Sequence, residues 1–347
     1  MPVPGARYFS QLPLQGLWNA PVLLLIAAML FWSSNVIIGR LAAETIPPVA
    51  LAFWRWVGAF LVGLTFAAPY LRRDIGALAK AWPIVAVLAM LGVSAYNTFL
   101  YVGLAQSSVL NASVLLSSIP VAILVVSFLL RHEQPTVRQI AGVAVSLFGV
   151  LIVAFRADIA LLASFTFGPG IWWILAAVVS YAVYSVLLRK APAVHPLSLL
   201  TAMFFVGLCF LAPFYVREHL QVASMRVGIA SVATIIYVAA APGFLAYLAY
   251  NRGVELLGAN KAGLFLHLIP VFSSLWALLF LGEEVHLFHL AGGMLVVIGL
   301  LLALRTPRGR GQIPKPNRNG TALPFPFSGL RKRVEANAAR HYGDDVP

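Results

Sequence analysis

Apolar residues dominate ten stretches of this chain, roughly 22–39, 47–68, 82–104, 107–130, 137–155, 171–188, 197–216, 228–250, 260–281 and 286–304, and short polar turns separate them. A helix needs about 20 mostly apolar residues to cross about 30 Å of hydrocarbon, with about 17 as the lower limit. Backbone groups in lipid must bond within their own segment or in a closed barrel, and these runs are far too long for barrel strands. The pattern predicts an all-α polytopic membrane protein with ten transmembrane helices.

The pattern also repeats. Residues 101–155 and 251–304 align at a constant offset of 150, which places Gly103 on Gly253, Ala112 on Ala262, Pro120 on Pro270, Glu133 on Glu283, Gly142 on Gly292 and Gly149 on Gly299. A repeat this long, made of apolar segments, points to duplicated membrane units rather than a solenoid. The predicted units are residues 22–155 and 171–305. Five helices per unit is an odd number, so the second unit must enter the membrane inverted, with Glu133 and Glu283 on opposite faces.

Composition strengthens this picture. The hydrophobic fraction is 61%, charged residues make up 10% and mean hydropathy is +0.90, whereas soluble domains hold about 45–50% apolar and about 25% charged residues. The net charge of +13 does not mark a nucleic-acid partner, because the cations cluster at segment ends and in the tail. Arg7, Arg72, Arg73, Lys80, Arg131, Arg138, Arg189, Lys190, Arg252 and Lys261 fall on one side of the predicted spans, with nine more from Arg305 onward. Arg40, Arg156, Arg217 and Arg226 fall on the other. That bias places both termini in the cytoplasm of a bacterial-type inner membrane. Residues 1–21 are then a cytoplasmic N-terminus. Lacking a small-residue cleavage site, the first apolar run is expected to stay as a span. Residues 306–347, rich in Pro, Gly and Arg, are expected to form a disordered basic cytoplasmic tail. The single cysteine, Cys209, excludes a disulfide framework and a Cys-based metal site, and is expected to be a small buried hydrophobe.

Together with FWSSNVIIGR in the first predicted helix and FWRWVGAF in the second, the two repeated segments resemble the EamA-like branch of the drug/metabolite transporter superfamily. The likeness runs from about residue 22 to 305, and each half carries Ala, then Pro, then Glu, then Gly at matching positions, Ala112, Pro120, Glu133 and Gly142 in the first and Ala262, Pro270, Glu283 and Gly292 in the second. The first copy has His132 before Glu133 where the second has Gly282 before Glu283. The resemblance implies ten helices in two inverted five-helix halves. It also implies secondary transport by alternating access, export more often than import, of small metabolites such as amino acids or amines. A proton gradient or exchange commonly drives it, and neither enzyme activity nor a bound cofactor is expected. Two other readings stay open at this point: a carrier of lipid-linked sugars or other lipids, and a non-transporting scaffold or receptor. The expected partners are a small-molecule substrate and the lipid bilayer, with a homo-oligomer left open.

Inverted-repeat carriers bind substrate near the bilayer midplane, between the repeats. Polar and aromatic residues at matching depth are therefore the candidate site. Trp32 and Asn35 fall on Tyr181 and Tyr184 at an offset of 149, and Asn97 and Tyr101 fall on Tyr247 and Asn251 at 150. Spacings of three and four keep each pair on one helix face. The competing reading is hydrogen bonding between packed helices. Arg55, about 12 Å of rise from the start of its helix, is either a dock for a substrate carboxylate or a structural arginine stacked on tryptophan. His267, which replaces Ser117 of the first half, is either a proton relay or a neutral bonded histidine. Pro120 and Pro270 free the carbonyls of Leu116 and Leu266, and Gly92 opposite Pro242 and Gly243 completes the hinge candidates. Glu255 is expected to pair with Arg252 at a surface. His286 and His289 have metal-like spacing but read better as a solvated helix start. The acids are expected in loops, turns or the tail, with no catalytic or metal constellation at membrane depth.

Overall fold

Helices account for every regular element among the residues described, which are 14–42, 45–107, 109–131, 134–158, 168–222, 224–281 and 286–305 of a computed structural model. They all belong to one unit, Met1–Arg305. The turn residues His132, Glu133, Gly282 and Glu283, the first 13 residues and the tail at 306–347 lie outside the described residues.

After a short turn of helix at Leu14–Trp18 come α1 (Pro21–Ala42), α2 (Pro48–Lys80) and α3 (Trp82–Ala105). The fourth element, α4, is two pieces, Val109–Leu116 and Ile119–Arg131, followed by α5 (Val137–Ala154). The second half holds α6 (Pro169–Leu187), α7 (Pro196–Gln221), α8 (Ile229–Leu257), α9 (Ala259–Leu264, Phe265–His267 and Leu268–Leu281) and α10 (Leu287–Leu304). Nine of these are long and apolar enough to cross a membrane, and the apolar part of α4, Val114–Leu130, is shorter. The protein is an integral membrane protein of two inverted repeats.

Prolines shape the boundaries. Helices α2, α6 and α7 carry Pro in their first turn, where the missing N–H costs nothing. α2 continues past Pro69 and α7 past Pro213, so both outrun the ends at 68 and 216 that hydropathy predicts. The reason is packing: α2 and α7 lie against each other, and neighbouring helices make an internal proline tolerable.

The same packing corrects the placement of two acids. Asp74 and Glu218 are within helices and buried. Glu218 of α7 accepts the N–H groups of Val49 (3.1 Å) and Ala50 (2.7 Å) at the start of α2. Asp74 of α2 accepts the N–H of His195 (2.9 Å) at the start of α7. Helix N-termini leave unpaired donors and carry partial positive charge, so each helix caps the other.

Helices α5 and α10 show the inversion directly. A Cβ on Gly142 would lie 2.5 Å from the Gly299 carbonyl oxygen, and one on Gly149 would lie 2.5 Å from that of Gly292. Residue numbers rise along α5 as they fall along α10, and the contacts exchange the two equivalent glycine pairs. Only glycine lets backbones approach this closely, the usual device where lipid removes the hydrophobic drive between helices.

Outward faces carry large apolar side chains such as Phe205, Phe214 and Ile236. Cys209 is exposed among them, not buried as expected. Two residues away, Gly207 faces inward against Val93, and a rotation of about 200° turns Cys209 to the periphery. Lipid accepts a small apolar thiol there.

Candidate functional site

Arg55 is the centre of the candidate site. It is 1% exposed. One terminal nitrogen, Nη1, donates to Asn97 Oδ1 (2.9 Å), Tyr101 Oη (2.9 Å) and Asn35 Oδ1 (3.3 Å). The other, Nη2, donates to the Pro242 carbonyl at 2.8 Å. The guanidinium carbon sits 4.8 Å from the ring centroid of Trp56, a cation–π distance. All four hydrogen-bond acceptors are neutral, and Arg55 Nε meets no partner among the described residues. The charge is held in place but not cancelled.

The Pro242 carbonyl is available because of a π turn. Residues Ala239–Leu245 of α8 form one, and the N–H of Ala246 bonds Ala241 instead of Pro242. The released Pro242 oxygen takes Arg55 and, at 3.0 Å, Trp32 Nε1. α3 has the matching turn at Met90–Ala95, where the Tyr96 N–H bonds Leu91. That releases the Gly92 oxygen, which accepts the Tyr247 hydroxyl at 2.6 Å. Single π turns recur at functional sites. Here each supplies one carbonyl to the other half.

Other bonds join equivalent positions or recur in both halves. Asn97 Nδ2 donates to Tyr247 Oη (3.1 Å), and the two residues are counterparts. Tyr101 donates to Asn35 (3.1 Å) and Tyr184 donates to Asn251 (2.7 Å), the same pairing with residue types exchanged.

A cleft opens beside this network. α1 contributes Trp32 and Asn35, α2 Arg55, and α3 Tyr96, Asn97 and Leu100. The break in α4 adds Leu116, Ser117 and Ile119, and α9 adds Leu266, Ile269, Pro270 and Ser273. Its cavity volume is about 50 Å³. Among the described residues Arg55 is the one ionised side chain in the lining, and the residues that α4 and α9 contribute are mostly aliphatic.

The structure thus brings Trp32, Asn35, Arg55, Asn97 and Ser117 to the cleft, with Tyr101 directly behind Arg55. Tyr181, Tyr184 and Tyr247 are instead packed in an aromatic cluster. Trp32 lies 5.7 Å from Tyr181, 5.4 Å from Tyr247 and 5.1 Å from Tyr250 by ring centroids. Asn251 bonds Tyr184 at the edge of that cluster. His267 is fully buried on the far side of the α4 break, bonded to Ser117 and Ser146.

Gly92, Pro242 and Gly243 fall within the π turns. Pro120 and Pro270 follow the interruptions of α4 and α9. Gly92 has the edge of the Tyr184 ring against it, 2.5 Å from an added Cβ. Tyr96, Leu100 and Ser273 were not legible as lining residues, since nothing local separates them from packing residues. The Arg252–Glu255 pair forms as read, at 2.8 Å, with Glu255 exposed and Arg252 half-buried. His286, exposed, and His289, half-buried, sit at the start of α10, and no cluster of metal-ligating residues occurs among the described residues.

Comparison with known proteins agrees with the architecture. The model of the EamA-like transporter family matches twice, at residues 19–155 and 168–305. An uncharacterized transporter of Bacillus subtilis, YyaM, is 24% identical over 299 residues, 85% of this chain and 95% of its own length. A probable terminal-alkyne amino-acid exporter of Streptantibioticus cattleyicolor is 27% identical over 260 residues, 73% of this chain and 85% of its own. One solved structure superposes with a TM-score of 0.68 at 21% identity, covering 82% of this chain and 96% of that one.

Proposed function

This chain belongs to the EamA-like transporter family, and from that premise we propose that it carries a small amphipathic metabolite bearing a carboxylate, an amino acid or a close relative, by alternating access. The direction proposed is export, from a bacterial inner membrane with both termini in the cytoplasm. Arg55 carries the reading. A buried guanidinium with four neutral acceptors and an unpartnered Nε, lining a cleft, is a charge waiting for an anion. A carboxylate would meet the planar two-pronged donor it fits best. The aliphatic wall formed by Leu100, Leu116, Ile119, Leu266 and Ile269 would take an apolar side group. An amine without a carboxylate finds no acid among the described lining residues. The similarity to a probable amino-acid exporter points the same way.

The test is uptake of labelled monocarboxylates, amino acids and amines into proteoliposomes, with and without an imposed pH gradient. Saturable uptake of carboxylates but not of simple amines is expected, and accumulation only under the gradient would add proton coupling. Uptake restricted to amines, or none by verified folded protein, overturns the reading.

A further inference from the structure

His267 occupies the point where the two repeats touch at equivalent positions. It falls on Ser117 at the offset of 150, and the two are in contact: His267 Nε2 lies 2.9 Å from the Ser117 carbonyl oxygen. That carbonyl only accepts, so Nε2 carries the proton. The other ring nitrogen, Nδ1, is 2.7 Å from Ser146 Oγ, whose one hydroxyl proton serves either Nδ1 or the Gly142 carbonyl oxygen, also at 2.7 Å. The ring is fully buried, with each nitrogen within hydrogen-bond distance of a polar oxygen.

Ser117 is the first residue after α4 breaks, and it lines the cleft. A helix interruption leaves backbone groups that must find partners inside the protein. His267 supplies one from the opposite repeat, while its own helix narrows to a 3₁₀ turn at Phe265–His267. Its neighbours Leu266 and Ile269 reach the cleft, whereas the imidazole does not.

We infer that His267 is a positioning residue for substrate: as a neutral Nε2–H imidazole it fixes the Ser117 carbonyl and with it the part of the cleft wall that the α4 break forms. It does not carry the transported proton. This rests on the proposed function only for its transport readout.

Two isosteric replacements separate the bonds. His267→Gln can keep a donor near the Nε2 position, while His267→Asn can reach Ser146 but not Ser117. In proteoliposomes His267→Gln is expected to hold KM within about twofold of the parent, and His267→Asn to raise it on the order of tenfold with little change in maximal rate per folded protein, the loss of about one hydrogen bond. If both variants transport normally in exchange but lose gradient-driven accumulation, the ring is a proton relay and the inference fails. A drop in melting temperature and maximal rate with KM unchanged also defeats it, leaving a purely structural role. A second readout needs no substrate. ¹⁵N spectra of the labelled imidazoles, with the resonance assigned by its absence in His267→Gln, should show one Nε2-protonated neutral ring from pH 6 to 8. A doubly protonated ring in that range overturns the assignment even if transport itself is never observed.

Discussion

The two halves of this protein share a scaffold but not a chemistry. In the first, Asn35, Arg55, Asn97 and Tyr101 form one hydrogen-bonded network around a cation. In the second, the counterparts are Tyr184, Phe204, Tyr247 and Asn251, taking Val57-Gly58 against Val206-Gly207 to set the register of α2 on α7. Phe204 stands where Arg55 would be. It is fully buried and packs on Trp56 at 5.0 Å. Duplication fixed the π turns, helix breaks and glycine contacts, while one charged position and its neutral acceptors made the site one-sided. Such asymmetry allows one oriented substrate rather than two equivalent ones.

The largest effect should come from the charge itself. Arg55→Met removes the cation and leaves Asn35, Asn97 and the Pro242 carbonyl short of a donor. Flux should fall on the order of 100-fold, roughly 3 kcal/mol, whereas Phe204→Leu should lower melting temperature and spare KM. Equal loss of flux in both variants would erase the comparison.

The shared scaffold should respond symmetrically. Gly142→Ala and its equivalent Gly292→Ala each push a methyl into a carbonyl on the facing helix, for a cost of about 1–3 kcal/mol apiece by the usual penalty of overpacking. Thermal unfolding in detergent should show two similar losses, with Gly16→Ala, which meets nothing within 4 Å, as the neutral control. Unequal losses would mean that the halves differ in scaffold as well.

The reciprocal caps should differ modestly. Glu218 holds two backbone N–H groups and Asp74 one, so Glu218→Gln should destabilise more than Asp74→Asn, by about 1 kcal/mol on the scale of a cap. The order of the two melting temperatures checks this.

The smallest contrast is the most specific. Tyr101→Phe removes a hydroxyl that joins Arg55 to Asn35 and should reduce flux several-fold, while Tyr184→Phe removes a single bond between packed helices, about 0.6 kcal/mol, and should leave KM alone. Matching KM values for the two variants would argue that Tyr101 has no part in the site.

The apolar pattern alone sets the all-helical membrane class, the two-repeat plan and the membrane depth of Arg55, because hydrocarbon demands long apolar runs and a duplication keeps its register. It also made Asn35, Asn97 and Tyr101 visible, since polar groups are conspicuous in such runs. Which of them share a cleft emerges from the packing of the helices. Local pattern cannot show that a π turn hands the Pro242 carbonyl to Arg55, that Tyr181 and Tyr184 pack while Asn35 faces open space, or that Asp74 and Glu218 cap helices more than a hundred residues away. Those facts depend on which helix faces meet. In lipid, hydrophobicity is the same on every face, and the meeting is set by glycine contacts and cross-repeat hydrogen bonds.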